Sequence, residues 1–337
     1  MILRPIQFVY DFTIYVKNKL YDHDVIKKVD LNIPVISIGN LSVGGTGKTP
    51  CVYLVATELI EKKIYKKIVI VSRSYKGTLK QAQRVNLSLD NATAVFGDEP
   101  CMLQSKLPNC SVWAGPTKHK TAKAAALSEK PDLIIIDDGF SHRKLNRHFD
   151  LILIDATAPL NYFQTLPVGR LRESTIQLKR AHAVLLTKTN LVDNDKIKKI
   201  TDLILKNNSD LINSIYLASA KLNFGHLSPQ HDQIYAFCGL GNPESFQQSL
   251  QLAGFNVVSI KKYADHYQYT QLDLDNLLAD FFNKKKEIPN LKLVTTAKDL
   301  IKIQKHPLLK EVHEIDYAIE IDSLKKVELF EKICRLL

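Results

Sequence analysis

The segment IGNLSVGGTGKTPCVYL, residues 38–54, limits what this chain can fold into more than any other. It follows the β-branched run PVIS and opens a stretch of helical character, so its glycines sit between a strand and a helix. Gly44, Gly45 and Gly47 let successive backbone N–H groups turn inward, and the following helix start adds its positive dipole end. Together they form a cradle for phosphate oxygens. Lys48 is placed to reach β- and γ-phosphates, and Thr49 to offer its hydroxyl to Mg²⁺. The expected nucleotide segment is therefore Ser42, Val43, Gly44, Gly45, Thr46, Gly47, Lys48 and Thr49. The first glycine of the usual G-x-x-x-x-G-K-[ST] pattern falls on Ser42.

Around this loop, short apolar runs alternate with helix-like stretches: PVISIGN, KIVIVSRSY, PDLIIIDDG, FDLILIDA and AHAVLLTKTN, with TPCVYLVATELIEKK following the loop. Continuous apolar strands separated by amphipathic segments specify an α/β fold, a mostly parallel sheet with helices on both faces. Ligands then bind at the C-terminal strand ends, where the loop and the acids described below fall. Periodicity lapses at KLNFGHLSPQHD, and QIYAFCGLGNPESF restarts the pattern. This places a nucleotide-binding domain at 1–224 and a smaller α/β domain at 225–337, in line with the size prior for a 337-residue chain. The second unit carries strands near GFNVVSIKKYADH and LKLVTTAKD and closes on the amphipathic SLKKVELFEKICRLL.

The net charge of +11 favours polyanionic partners, whether phosphorylated metabolites or an anionic membrane face. The lysines are dispersed without interleaved aromatics, which argues against nucleic acid. Five cysteines show no C-x-x-C spacing, so neither a zinc site nor a disulfide framework is expected and a reducing, cytoplasmic setting is the default. The N-terminal MILRPIQFVYDFTIYVKNKLYDHDV lacks a cleavage site, and Arg4 and Asp11 interrupt its apolar run, which argues against a signal peptide or spanning helix. On a helical wheel Arg4, Gln7, Asp11 and Asn18 form one narrow stripe. The wide apolar arc opposite is compatible with packing in a core or, given the nearby lysines, with lying in a membrane interface.

Chemistry-bearing groups cluster at strand ends. LIIIDDG ends in Asp137 and Asp138, candidates to hold Mg²⁺ directly or through water, with Asp155 of LILIDA as a rival. The following GFSHRKLNRH supplies phosphate donors, His142 among them. FGDEPCML offers Asp98 and Glu99: Asp98 reads either as a helix cap or as a general base. In YADHYQYT, His266 is suited to orient such a base or to share its proton. LLTKTNLVD resembles a guanine-reading motif, but Asn190 stands where the carboxylate belongs.

In order along most of the chain, ISIGNLSVGGTGKTP, VSRSYKG, GDEP, DDGFSHRKLNRHFDLILIDA, LPVGRLRE, FCGLGNPESF, ADHYQYT and TTAKD resemble the motifs of the tetraacyldisaccharide 4'-kinases of lipid A biosynthesis. Serine at the place of Ser42 is usual in that family. The resemblance implies transfer of the ATP γ-phosphate to the 4'-hydroxyl of a tetraacyl glucosamine disaccharide 1-phosphate, with ATP and Mg²⁺ as cofactors. It also implies a peripheral enzyme at the cytoplasmic face of the inner membrane, its N-terminal helix dipping into lipid, with no nucleic acid and no obligate protein partner. Asp98 is then the base and His266 its partner. Lys48 and Thr49 serve phosphates and Mg²⁺, Asp137 and Asp138 the metal. Arg73, Glu99, His142 and Arg172 are phosphate or substrate contacts. Ser74 and Ser141 depart from the SRGY and DDGFQH forms of the family. The alternatives are a soluble kinase or ligase acting on a small metabolite and a regulatory NTPase.

Overall fold

The computed structural model describes residues 3–44, 46–75, 77–240, 243–303 and 306–337, excepting the side chain of Ser245. Its strands are β1 (Val35–Asn40), β2 (Ile68–Arg73), β3 (Gln83–Arg84), β4 (Ser111–Gly115), β5 (Leu133–Asp137), β6 (Phe149–Asp155), β7 (Ala183–Thr187), β8 (Ile215–Asn223), β9 (Gln233–Cys238), β10 (Asn256–Lys262), β11 (Leu291–Thr296) and β12 (Val312–Ile321). They form one sheet in the order β10-β9-β11-β12-β8-β7-β6-β1-β5-β2-β4-β3. Every neighbouring pair is parallel except β3 with β4 and β8 with β12. The β8–β12 pair carries the sheet from the first half of the chain into the second.

The central strands are apolar throughout because both faces are covered. In β5, Leu133 and Ile135 enter one core with Ile36, Ile38, Val52, Val55 and Leu59, while Ile134 and Ile136 enter another with Val69, Val71 and Trp113. The same two-residue period sorts β9: Ile234, Ala236 and Cys238 face Phe246 and Leu250, whereas Tyr235 and Phe237 face Leu274, Leu277 and Phe281. The closing helix Ser323–Leu336 returns to the first core, where Leu329, Phe330 and Ile333 are buried. Each such side chain contributes roughly 1.5–3 kcal/mol of transfer free energy. Strand β8 runs through Lys221 to Asn223, the start of the stretch where periodicity lapses.

β1 is flanked by β5 on one side and β6 on the other. Connections leave it in opposite directions, and the crevice opens beyond its C-terminal end.

The N-terminal helix Leu3–Asp22 is oriented opposite to a core helix. Its protein-facing side is largely polar. Gln7 donates to Thr165 at 3.0 Å, the Tyr10 hydroxyl to the Arg172 carbonyl at 2.8 Å, and Asn18 to Glu173 at 3.4 Å. Phe8 is 72% exposed, Val9 64%, Phe12 59% and Tyr15 55%, so the apolar arc faces outward and core packing is not its role. Arg4, one residue into the helix, is exposed. Among the described residues no helix is long and apolar enough to cross a membrane.

Candidate active site

β1 ends at Asn40, whose side chain organises the loop that follows. Its amide donates to the Thr46 hydroxyl at 2.9 Å and reaches Ser42 Oγ at 3.4 Å, while its oxygen accepts from the Arg172 guanidinium. The leading edge of the loop is stitched to residues 170–172: Val43 N–H donates to the Arg170 carbonyl at 2.8 Å, Arg172 N–H to the Leu41 carbonyl at 2.7 Å, and Ser42 bridges Leu171. Ser42 therefore lies in an antiparallel bridge, a setting that does not need glycine. Gly44 (φ 110°) and Gly47 (φ 85°) occupy left-handed backbone that other residues adopt at a cost. Gly45 lies outside the described residues. The Thr46 carbonyl accepts from the Thr187 hydroxyl at 3.2 Å. Lys48 opens the helix Lys48–Glu61, with half-buried Thr49 next. Lys48 Nζ donates to the Gly44 carbonyl at 3.4 Å and stands 3.8 Å from Asp138 Oδ1.

The two acids after β5 have different surroundings. Asp138, at φ 52°, receives both prongs of the Arg172 guanidinium at 2.9 and 2.7 Å. Buried Lys118 donates to its carbonyl at 2.6 Å. Burial opposes ionisation of Asp138, but the hydrogen bonds from Arg172 and the charges of Lys118 and Lys48 prevail and hold its carboxyl far below the usual range. Asp137 is fully buried, and burial pushes its pKa up. Its Oδ2 accepts from Ser72 at 2.9 Å, and its Oδ1 has no partner among the described residues. A buried carboxylate oxygen without a donor, within the field of the loop lysine Lys48, fits a divalent cation. The rival Asp155 is engaged instead by Lys188 at 2.6 Å and by Thr157.

Asp98 does not cap its helix. Gly97 holds the N-cap position and Asp98 is the first residue of the helix Asp98–Lys106, with its carboxylate turned toward the second half of the chain. There Asp98 Oδ2 lies 3.0 Å from His266 Nδ1 and 3.3 Å from Lys302 Nζ, and Gln268 reaches Oδ1 at 3.5 Å. His266 adopts φ 60°, its ring lies 5.4 Å from that of Tyr75, and Lys298 Nζ is 3.3 Å from its Nε2. Glu99 links this cluster to the loop. Burial first, then Asp137, pushes its pKa up to about 7, while Lys48 and Lys298 pull it down.

His142 borders Asp138, and burial, with Lys118 and Arg73 nearby, lowers its pKa to about 4. Arg73 ends β2 in an exposed position. Ser74 donates to the Val95 carbonyl at 3.3 Å, whereas buried Ser141 Oγ has no partner among the described residues. Asn190 exchanges hydrogen bonds with the backbone of Ala220 at 3.1 and 2.9 Å, so it latches β8 and carries no guanine-reading carboxylate. Sequence reasoning missed Asn40, Lys118, Lys298 and Lys302. Asn40 and Lys298 lie inside motifs that were recognised, but Lys118 and Lys302 are lone lysines in a lysine-rich chain. The five cysteines form no disulfide, and burial pushes the Cys101 and Cys238 thiols up to about 12.

The chain is similar to known proteins along nearly its whole length. A family model described as Tetraacyldisaccharide-1-P 4'-kinase matches residues 1–335. The tetraacyldisaccharide 4'-kinase of Bdellovibrio bacteriovorus is 34% identical over 307 residues, covering 90% of this chain and 89% of that protein. That of Aquifex aeolicus is 32% identical over 331 residues, covering 97% and 96%. The crystal structure of an "apo" form of LpxK from Aquifex aeolicus, in complex with ATP, superposes with a TM-score of 0.75 at 28% identity, covering 98% of this chain and 97% of that one.

Proposed function

The chain belongs to the tetraacyldisaccharide 4'-kinase family, ATP-dependent phosphotransferases of lipid A biosynthesis, and from that membership we propose how its own residues divide the work. Asp98 takes the proton from the 4'-hydroxyl of the acylated glucosamine disaccharide as the γ-phosphate is transferred. The observation that carries this reading is the contact between buried Asp98 and His266, with Glu99 one residue on facing Lys48 and Asp137. A general base of this kind supplies about 10²–10⁴-fold in rate.

The loop from Ser42 to Thr49 binds the ATP phosphates, and Lys48 leaves its contact with the Gly44 carbonyl to meet them. Asp137 and Thr49 would hold Mg²⁺, which supplies charge neutralisation at the transferring phosphate when bound. Asp138 acts through its ion pair with Arg172, keeping the guanidinium at the pocket mouth as a donor to phosphate oxygens. Arg73, Glu99 and His142 line the same mouth and contact the phosphates or the acidic lipid.

We read 1–224 and 225–337 as two units whose approach aligns Asp98 with His266 and excludes water from the reacting groups. The exposed arc of Phe8, Val9, Phe12 and Tyr15 lies in the inner-membrane interface, with Lys17, Lys19, Lys27 and Lys28 toward anionic headgroups. The test is transfer of radiolabelled γ-phosphate to tetraacyldisaccharide 1-phosphate, compared with an unacylated disaccharide. Stable labelling of the acylated acceptor is expected. Equal labelling of the unacylated sugar would favour a small-metabolite kinase.

A further inference from the structure

The hydrogen-bond roles around His266 are over-determined, and they decide what the histidine can do. Lys298 Nζ stands 3.3 Å from Nε2 and also 2.9 Å from Asp265 Oδ1. An ammonium group has three donors and no acceptor, so an Nε2 that faces it must be the bare, accepting nitrogen. A neutral imidazole carries its proton on the other nitrogen, which leaves Nδ1–H pointing at Asp98 Oδ2, 3.0 Å away. The doubly protonated ring would instead set an N–H against the Lys298 ammonium. Asp265 Oδ1, at 3.8 Å from Nε2, is too distant to accept that N–H.

Lys302 completes the arrangement. It is 1% exposed, lies 3.3 Å from Asp98 Oδ2 and 3.1 Å from Asp299 Oδ1, and sits 5.8 Å from the Tyr269 ring centroid. Two donors, Nδ1–H and the Lys302 ammonium, thus converge on Oδ2. Among the described residues Oδ1 meets only the Gln268 amide, at 3.5 Å, the outer limit of a hydrogen bond.

We propose that Lys298 is a positioning residue that fixes His266 in the Nδ1–H tautomer, so that the histidine donates to Asp98 and does not receive its proton. The substrate proton then arrives at Asp98 Oδ1, and Oδ2 stays held by His266 and Lys302. This rests on Asp98 being the base, and it narrows the role of His266 from orienting or sharing a proton to orienting alone. The step balances: the substrate O–H bond breaks and an O–H bond forms at Oδ1, the electron pair left on the substrate oxygen forms the new P–O bond, and the bond from the γ-phosphorus to its bridging oxygen breaks, its electron pair leaving with ADP. His266 neither gains nor loses a proton.

The experiment records long-range ¹H–¹⁵N spectra of the full chain with ¹⁵N-labelled histidine at about pH 8, where an ordinary imidazole is neutral. His266 is assigned with His266→Gln. The wild type should show a protonated Nδ1 and a bare Nε2. Lys298→Met should move the proton to Nε2 and lower kcat about 10-fold, and Lys298→Arg should restore both. A wild-type Nε2 that carries the proton would overturn the proposal with no variant needed, so a Lys298→Met protein that fails to fold leaves it testable. An unchanged tautomer or unchanged kcat in folded Lys298→Met would also overturn it. Asp98→Asn separates the two readings: retained turnover there defeats the base assignment whatever the tautomer is.

Discussion

His266 Nδ1 meets Asp98 Oδ2 at 3.0 Å across 168 residues of sequence. Asp98 starts a helix in the first half of the chain, whereas His266 follows β10 in the second, so the pair exists only when both halves are folded together. Asp98→Asn is expected to lower kcat for lipid phosphorylation by about 10³-fold, and His266→Asn by about 10²-fold. Because the residues act as a unit, the double variant should be little worse than Asp98→Asn alone. Multiplying losses would separate their roles.

Asp137 Oδ1 is a buried oxygen without a donor among the described residues, and Asp155 is already paired with Lys188. Asp137→Asn should therefore raise the Mg²⁺ concentration needed for half-maximal turnover by at least about 10-fold. Asp155→Asn should leave that concentration unchanged. A Mg²⁺ titration at saturating ATP reads both, and the opposite ranking would move the metal to the end of β6.

Two half-buried groups give stability changes of opposite sign on acidification. His142 has a folded pKa of about 4, below the unfolded value, so its contribution is fully present above about pH 6.5 and is lost as pH falls through 4. Glu99 has a folded pKa of about 7, above the unfolded value, so its contribution is present below about pH 4.5 and is lost as pH rises through 7. Each amounts to about 2–3 kcal/mol after allowance for partial exposure. Relative to wild type, urea unfolding of the apoprotein should show His142→Gln gaining stability between about pH 7 and pH 4, and Glu99→Gln losing it. Parallel profiles would show that neither group is as buried as the fold makes it.

The outward arc of the N-terminal helix predicts a split between lipid and nucleotide binding. Phe8→Asp with Phe12→Asp should weaken co-sedimentation with anionic vesicles by at least about 10-fold, since each ring contributes roughly 1.5–3 kcal/mol when buried. ATP affinity of the same variant should match the wild type. Undiminished vesicle binding would remove the helix from the membrane contact.

Much of the central sheet was legible because fully buried parallel strands are written as unbroken apolar runs. β1, β2, β5, β6 and β7 all fall within such runs, and β9 and β11 repeat the pattern. β4 was not legible, because SVWAG is short and bounded by a glycine. β8 and β12 pair antiparallel and have mixed exposure, so their side chains dilute the apolar signal and β8 enters the stretch where periodicity lapses. In the site, the loop and the acids at the end of β5 announced themselves through spacing. The pairing of Asp98 with His266 came from resemblance, because no local pattern reports a contact between distant segments. The roles of Lys118 and Lys302 depend wholly on burial beside carboxylates, and a lysine in a chain of net charge +11 gives no hint of that.

Arg172 grips two parts of the molecule with different atoms. Its carbonyl accepts from Tyr10 of the outward-facing helix, and its guanidinium holds Asp138 and Asn40 at the nucleotide loop. One residue, with no relay of intervening side chains, spans the distance from the helix to the pocket. Substituting its side chain leaves the peptide carbonyl in place, and Tyr10→Phe removes the helix contact without touching the guanidinium. Genetics can therefore cut either end of this strut by itself.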